Sequence, residues 1–362
     1  MTASRFAHLL RPELADLAAY VPHAGDYEIR LDGNEAPPLL SAETRAAVAQ
    51  VMAAGALERY PDPRATELRE AIATHVRAKP DEILVGAGSD EVIALLLTTL
   101  SQPRAGAEAA TILTPSPTFV MYRLSAAARG IRVHEVPLDD RWDLDVDAMR
   151  AAIAATNPNV VFLATPNNPT GNRMSEDRIR AVIEAAEGAL VVLDEAYVAF
   201  ASASVAHLRH AYPNVALLGT VSKIGFASLR IGWIVGADEL VREIDKVRQP
   251  YNLPAPSQRA ATFVLRELRA EIDRIIATVV EERDRLARAL SQLGFGVPTS
   301  DANFLWVETK RPAKDVFEGL AASKILVRSF HARGGRLANR LRITVGTREE
   351  NDRLLEVLAR WA

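Results

Sequence analysis

The chain has 362 residues, of which 49% are hydrophobic and 25% charged, enough apolar material to bury a large core in one big domain or two moderate ones. Its net charge of −3, with basic residues scattered along the chain, gives no concentrated positive surface, which speaks against nucleic acid or an anionic membrane as partner. There is no cysteine, so disulfides, thiolate zinc sites and a cysteine nucleophile are excluded together, and a reducing compartment fits.

The opening stretch MTASRFAHLLRPELADLAAY interrupts its apolar residues with Arg5, Arg11, Glu13 and Asp16, unlike the apolar centre of a signal peptide. The longest apolar runs, such as VIALLL at 92–97, are too short to span a bilayer. A cytoplasmic chain is expected. Segment 1–34 offers no strand of a large sheet and ends in LDGNE, so it joins a smaller domain or bridges two.

Further along, EILVGAG (82–88), AATILTP (109–115), NVVFLATP (159–166), ALVVLDEAY (189–197), NVALLGTVS (214–222) and IGWIVGA (231–237) read as buried strands, rich in Val, Ile and Leu without polar alternation. Between them EVIALLLTTL, TFVMYRLSAAARG, SEDRIRAVIEAAEG and ELVREIDKVR carry apolar residues at helical spacing. That order predicts an α/β fold with a mainly parallel central sheet covered by helices. From about 256 a single long charged helix, SQRAATFVLRELRAEIDRIIATVVEERDRLARALSQLG, leads into the short strands NFLWVET and RLRITVG and a final helix, the mark of a smaller α+β domain. The expected division is a large domain at 35–255 and a small one built from 1–34 and 256–362. No internal repeat, low-complexity tract or long linker is seen.

In an open parallel sheet ligands sit outside the carboxyl ends of the strands, and the chemistry-bearing residues fall there. After EILV comes GAGSDE, where glycines permit a tight turn and Ser89 and Asp90 open a helix. Taken alone, that motif answers equally to a phosphate cradle and to a plain capped helix. TPNNPTG makes an ordered turn after the next strand but one, DEAY places Asp194 at a strand end with Tyr197 three residues on, and Lys223 follows another strand with Arg230 seven residues later. Singly these are ordinary structural features. Together they match the needs of pyridoxal phosphate: an amine for the aldehyde, a carboxylate for the pyridinium nitrogen, and amides, hydroxyls and a guanidinium for the phosphate.

The ordered set LDGNE, ERYPDP, GAGSDE, PSPTFVMY, TPNNPTG, DEAY, TVSKIGFASLRIG, ANFLWV, ILVRSF and LRITVGT resembles the fold type I aminotransferases, and most closely the histidinol-phosphate aminotransferases, from about residue 11 to the C-terminus. The resemblance implies a pyridoxal-phosphate-dependent transferase with Lys223 as Schiff-base lysine and proton shuttle and Asp194 as partner of the pyridine nitrogen. It implies that Asn168 and Tyr197 bind the ring's phenolic oxygen and that Phe119, where many relatives carry tyrosine, stacks on the ring. It assigns the phosphate to Ser89, the Asp90 amide, Thr220, Ser222 and Arg230, completed by Tyr60 of a neighbouring subunit, hence a homodimer with shared active sites. On the substrate side it implies Arg342 for the α-carboxylate and Arg328 for the substrate phosphate, helped by Tyr20 and Asn34. Arg340 is read as a solvated arginine.

Two departures fall within the motifs: LDGNEAPP stands where LDANENPY is more usual, and RQPYNLPAPSQ where relatives often read N-x-x-L-T-Q. Both are read as touching the substrate side and leaving the cofactor set intact. His207 and His210 share a helix face at i, i+3 without a carboxylate cluster, so no metal is expected. The implied reaction is a two-half, ping-pong transamination that interconverts histidinol phosphate and imidazole acetol phosphate in histidine biosynthesis, with glutamate and 2-oxoglutarate as the other pair. The competing readings are a phosphothreonine-type decarboxylase, an aminotransferase for aromatic or other amino acids, and a ligand-sensing regulator. The regulator would need a DNA-binding segment for which the residues before LDGNE leave room for a single helix.

Overall fold

The computed structural model describes residues 5–11, 14 and 25–362. In chain order its strands and helices are β1 (Ile29–Leu31), α1 (Ala42–Ala53), α2 (Thr66–Val76), β2 (Ile83–Ala87), α3 (Ser89–Thr99), β3 (Thr111–Ser116), α4 (Val120–Ala127), β4 (Arg132–Pro137), α5 (Val146–Thr156), β5 (Val160–Ala164), α6 (Glu176–Ala185), β6 (Leu190–Asp194), α7 (Leu208–Ala211), β7 (Val215–Thr220), β8 (Ile231–Val235), α8 (Asp238–Asp245), α9 (Ala255–Glu267), α10 (Arg269–Gln292), β9 (Phe304–Glu308), α11 (Ala313–Ala322), β10 (Ile325–Ser329), β11 (Arg340–Thr344) and α12 (Arg348–Leu358).

Seven strands form one sheet in the order β2-β8-β7-β6-β5-β3-β4, parallel throughout except for β8, which runs antiparallel to both β2 and β7. The central strands are apolar on both faces because both are covered. Along β5, Val161 and Leu163 enter one core and Val160 and Phe162 the other; on β6, Val191 and Leu193 oppose Val192 in the same way. Every apolar run read as a strand is one. β4 was not legible among them: it is the sheet's edge, its residues RVHEVP are mostly exposed, and an edge strand needs no apolar run.

A second sheet of four strands, in the order β1-β10-β11-β9, pairs β1 in parallel with β10 and the rest antiparallel. Its core takes Leu286 and Leu290 from α10, Val316 and Leu320 from α11, and Leu354 and Val357 from α12. The expected single long helix is two: at Leu268 the backbone leaves the helical basin (φ −105°, ψ 24°), and its side chain packs on the core of the large sheet. Before the break, α9 lies against α1 and α2 and gives Ala260, Ala261 and Val264 to the large core, so the chain beyond 255 serves both sheets. Among the described residues no helix is long and apolar enough to cross a membrane.

Candidate functional site

Five parallel strands end at the same edge of the large sheet, and each delivers part of one site. β2 leads into Ser89 and Asp90, β3 into Phe119, β5 into Asn168, β6 into Asp194 and Tyr197, and β7 into Thr220, Ser222 and Lys223. Arg230 precedes β8, and because β8 runs antiparallel its start lies at the same edge. All of these residues line one cavity of about 160 Å³, with Gly33, Glu35 and Tyr122.

At one end of the cavity is a buried carboxylate. Asp194 is 4% exposed; its Oδ2 accepts from the Tyr122 hydroxyl at 2.5 Å and its Oδ1 from the Ala196 amide at 2.9 Å. Burial pushes its pKa up, opposed by those two hydrogen bonds and by the Lys223 charge. Tyr122, wholly buried, is driven well above the usual tyrosine range by that burial and by Asp194, so it stays a donor. A buried carboxylate in this state is a socket for a cation.

At the other end is an anion cradle. Ser89 and Asp90 open α3, whose first amides have no partner within the helix. The Arg230 guanidinium lies 3.6 Å from the Asp90 carboxylate, and the Thr220 hydroxyl is set by bonds to Ser222 Oγ (2.9 Å) and the Ile231 carbonyl (2.8 Å). Two glycines make the cradle possible. Gly88 holds φ +85°, and a Cβ there would fall 2.4 Å from the Arg230 guanidinium; a Cβ on Gly232 would lie 2.2 Å from the Ser89 amide nitrogen.

Between the two ends, Phe119 stands edge-on to Tyr122 with centroids 5.5 Å apart, and the Lys223 Nζ lies 5.6 Å from the centre of the Tyr197 ring. The Tyr197 hydroxyl accepts from Asn34 Nδ2 at 2.9 Å and from Asn168 Nδ2 at 3.3 Å. This set suits a flat aromatic cation carrying a phosphate arm and an amine-reactive carbon, as pyridoxal phosphate does.

A second cavity of about 430 Å³ adjoins the first, sharing Gly33, Asp90, Phe119, Asn168, Tyr197 and Lys223, and it is lined on its far side by Arg328, Phe330, Arg333 and Arg342. Arg342 donates to Asn168 Oδ1 and to the Asp32 carbonyl, both at 2.6 Å. Asn34 is 1% exposed with φ 54°, and it is held by the Thr344 hydroxyl and by Asn303.

Two residues singled out in the sequence, Tyr60 and Arg340, are placed differently from the rest. Tyr20 lies outside the described residues. Tyr60 lines neither cavity; it is 80% exposed and stacks on Tyr251 with centroids 4.6 Å apart. Arg340 is not solvated: its side chain is 12% exposed, pairs with Glu308 at 2.8 Å and lies over Trp142 and Trp306, where an arginine plane finds two aromatic faces.

The two departures also resolve. A Cβ on Gly33 would meet nothing nearer than the Glu35 side chain at 3.6 Å, so the glycine merely widens the opening. The RQPYNLPAPSQ segment does not line the substrate-side cavity of its own chain; its Asn252 donates to Glu91 in α3, just behind the anion cradle. Two groups were missed: Tyr122, for which the Phe119 to Tyr122 spacing at a helix start was the available signal, and the Asn252–Glu91 pair, joined across 161 residues. Among the described residues no three His, Asp or Glu side chains converge as a metal set; His207 instead meets Glu176 at 3.0 Å.

Residues 27–358 match the family model described as aminotransferase class I and II. The chain is 40% identical to the histidinol-phosphate aminotransferase of Methylibium petroleiphilum, covering 98% of this chain and 95% of that one. It is 38% identical to histidinol-phosphate aminotransferase 2 of Nitrosococcus oceani, covering 99% and 98%. Among solved structures it superposes with a TM-score of 0.82 on the histidinol-phosphate aminotransferase of Sinorhizobium meliloti in complex with pyridoxal-5'-phosphate, at 25% identity and 98% coverage of both chains. With the lysine, carboxylate and anion cradle gathered at one sheet edge, and a family match running nearly end to end, the chain belongs to the class I and II aminotransferases.

Proposed function

We propose that this chain is a pyridoxal-phosphate-dependent aminotransferase acting on histidinol phosphate and imidazole acetol phosphate, with glutamate and 2-oxoglutarate as the other pair, in histidine biosynthesis. The observation that carries the substrate is the facing of Arg328 and Arg342 in register across β10 and β11, on the wall of the cavity that adjoins Lys223. Two cations at a fixed separation answer a substrate with an anion at each end. The near full-length identity to relatives that bear this name supports the same reading.

Pyridoxal phosphate, when bound, supplies an aldehyde that condenses with amines and a ring that draws electrons from the carbon bearing the amine. Lys223 Nζ would hold that aldehyde and, as a free amine, would serve as the base that takes the proton from the substrate's α-carbon. Asp194 keeps the ring nitrogen protonated, since a buried carboxylate gains most from a cation placed against it. Tyr197 and Asn168 hold the ring's phenolic oxygen, and Phe119 stacks on its face. Ser89, the Asp90 amide, Thr220, Ser222 and Arg230 hold the phosphate. Arg342, already oriented by Asn168 and Asp32, takes the α-carboxylate in a forked contact, and Arg328 takes the distal phosphate, with help from Asn34.

We assign the working form as a cytoplasmic homodimer in which Tyr60 reaches the partner's phosphate cradle. An 80% exposed tyrosine stacked face to face on Tyr251, with Leu57 also exposed, supports this reading. The test is a half-reaction screen that follows loss of the absorbance of the lysine-bound cofactor on mixing with single amino compounds. Histidinol phosphate should discharge it far faster than histidinol. Release of carbon dioxide from phosphothreonine, without consumption of 2-oxoglutarate, would establish the decarboxylase instead.

A further inference from the structure

The loop that forms the anion cradle is fastened from behind by a chain of polar groups. Glu91, in the first turn of α3, turns its carboxylate back and accepts through Oε2 both the Ala87 amide at 2.5 Å and Asn252 Nδ2 at 2.7 Å. Asn252 Oδ1 in turn accepts from Arg248 at 3.0 Å, and Arg248 donates to Asp245 at 2.7 Å. The Asn252 amide is therefore used at both ends, which fixes its orientation. Arg248 is 13% exposed, so the chain is anchored in the body of the large domain at the end of α8.

The loop needs such an anchor. Ala87 sits between Gly86 and Gly88, and Gly88 is at φ +85°, so this peptide run has more conformational latitude than any alanine-based turn. The Ser89 and Asp90 amides can meet a phosphate only if the preceding peptide is held. A free Glu91 carboxylate one turn into α3 would also be drawn toward the same helix start, where it would compete with a phosphate for the exposed amides. Bound to Ala87 and Asn252, it is kept behind the loop.

We propose that Asn252 is a positioning residue for the cofactor phosphate: by clamping Glu91 onto the Ala87 amide it holds the Gly88 to Asp90 amides in their phosphate-binding orientation. The proposal rests on the cofactor reading above. It places the effect of the RQPYNLPAPSQ segment on the cofactor and not on the substrate.

The decisive comparison is between pyridoxal phosphate and pyridoxal, which lacks the phosphate. The full-length chain freed of cofactor is titrated with each, and the dissociation constants are read from the absorbance of the lysine-bound form. Asn252→Ala should weaken pyridoxal phosphate about tenfold, the scale of a lost hydrogen bond to a charged group, and leave pyridoxal unchanged. Glu91→Gln, which still offers one oxygen to both donors, should keep the wild-type ratio, whereas Glu91→Ala should reproduce Asn252→Ala. Unchanged pyridoxal phosphate affinity in Asn252→Ala, or equal weakening of both ligands, overturns the proposal. If Asn252→Ala does not fold, the two Glu91 variants decide it on the same ratio. A wild-type chain that binds both ligands equally overturns the phosphate assignment itself, an outcome distinct from failure of the Asn252 role.

Discussion

Arg328 and Arg342 stand directly opposite one another across the antiparallel β10–β11 pair, yet only Arg342 is already engaged, by Asn168 and the Asp32 carbonyl. Arg328 makes no hydrogen bond or ion pair among the described residues. Like charges directly opposite on a sheet are destabilising, and among the described residues no carboxylate pairs with Arg328. On the proposed function, the substrate's phosphate is the anion that offsets this charge.

The first prediction follows from that asymmetry. Arg328→Ala should lower kcat/KM for histidinol phosphate about ten- to a hundredfold, the loss of one charge-assisted contact of roughly 1.5–3 kcal/mol, and hardly change the half-reaction with glutamate. Arg342→Ala should weaken both substrates, since both present an α-carboxylate. Unaltered histidinol phosphate turnover in Arg328→Ala would move the phosphate pocket elsewhere and make aromatic or other amino acids the substrates to test next.

Lys223 and Asp194 lie at the ends of adjacent parallel strands, so the amine and the carboxylate are held by the same rigid edge. Lys223→Ala should still bind the cofactor but show no lysine-bound absorbance and lose nearly all turnover. Asp194→Ala should fail as well, because an unprotonated ring nitrogen is a poorer electron sink. Wild-type rates in either variant would remove that residue from the chemistry.

Much of the site was readable because it is periodic in the sequence: apolar run, then chemistry, five times over, at the carboxyl ends of strands that must be parallel if helices separate them. What escaped was what periodicity does not carry. β4 is an exposed edge strand, and the break at Leu268 contains neither glycine nor proline, so neither left a local mark. Arg340, two residues from Arg342, reads in sequence as a solvated arginine beside the substrate's own; its true neighbours, Trp142 and Trp306, come from distant segments. Asn252 met Glu91 only through the fold.

Tyr60 gives a prediction about assembly. Within its own chain it lines neither the cofactor cavity nor the substrate cavity, and its ring is fixed by Tyr251 with centroids 4.6 Å apart. If it serves a second copy, Tyr60→Phe and Lys223→Ala are each defective, but a mixed dimer rebuilds one intact site. Co-refolding the two variants should recover part of the activity. Heterodimers that form and remain inactive would confine Tyr60 to a structural role.

Tyr122 supplies the prediction with the sharpest pH signature. Its hydroxyl is buried and donates to Asp194 at 2.5 Å, one of the influences that hold the Asp194 pKa down against the larger upward push of burial. Tyr122→Phe keeps the ring, stacked on Phe162 with centroids 4.5 Å apart, and removes only the donor. The Asp194 pKa should then rise further. Because the carboxylate must be ionised to face a protonated ring nitrogen, the acid limb of the kcat/KM profile should move to higher pH, with about a tenfold loss at neutral pH for a missing hydrogen bond to a charge. The cofactor-free chain should show the linked effect in stability. A carboxyl whose folded pKa lies above its unfolded value stabilises the fold when protonated, and that contribution is lost as pH rises from about 4 through the folded pKa. Thermal melts of cofactor-free Tyr122→Phe should therefore fall below those of the wild type increasingly as pH is raised through this window. Parallel pH profiles for the two proteins, in both kcat/KM and melting temperature, would show that the Tyr122 hydroxyl does not govern Asp194.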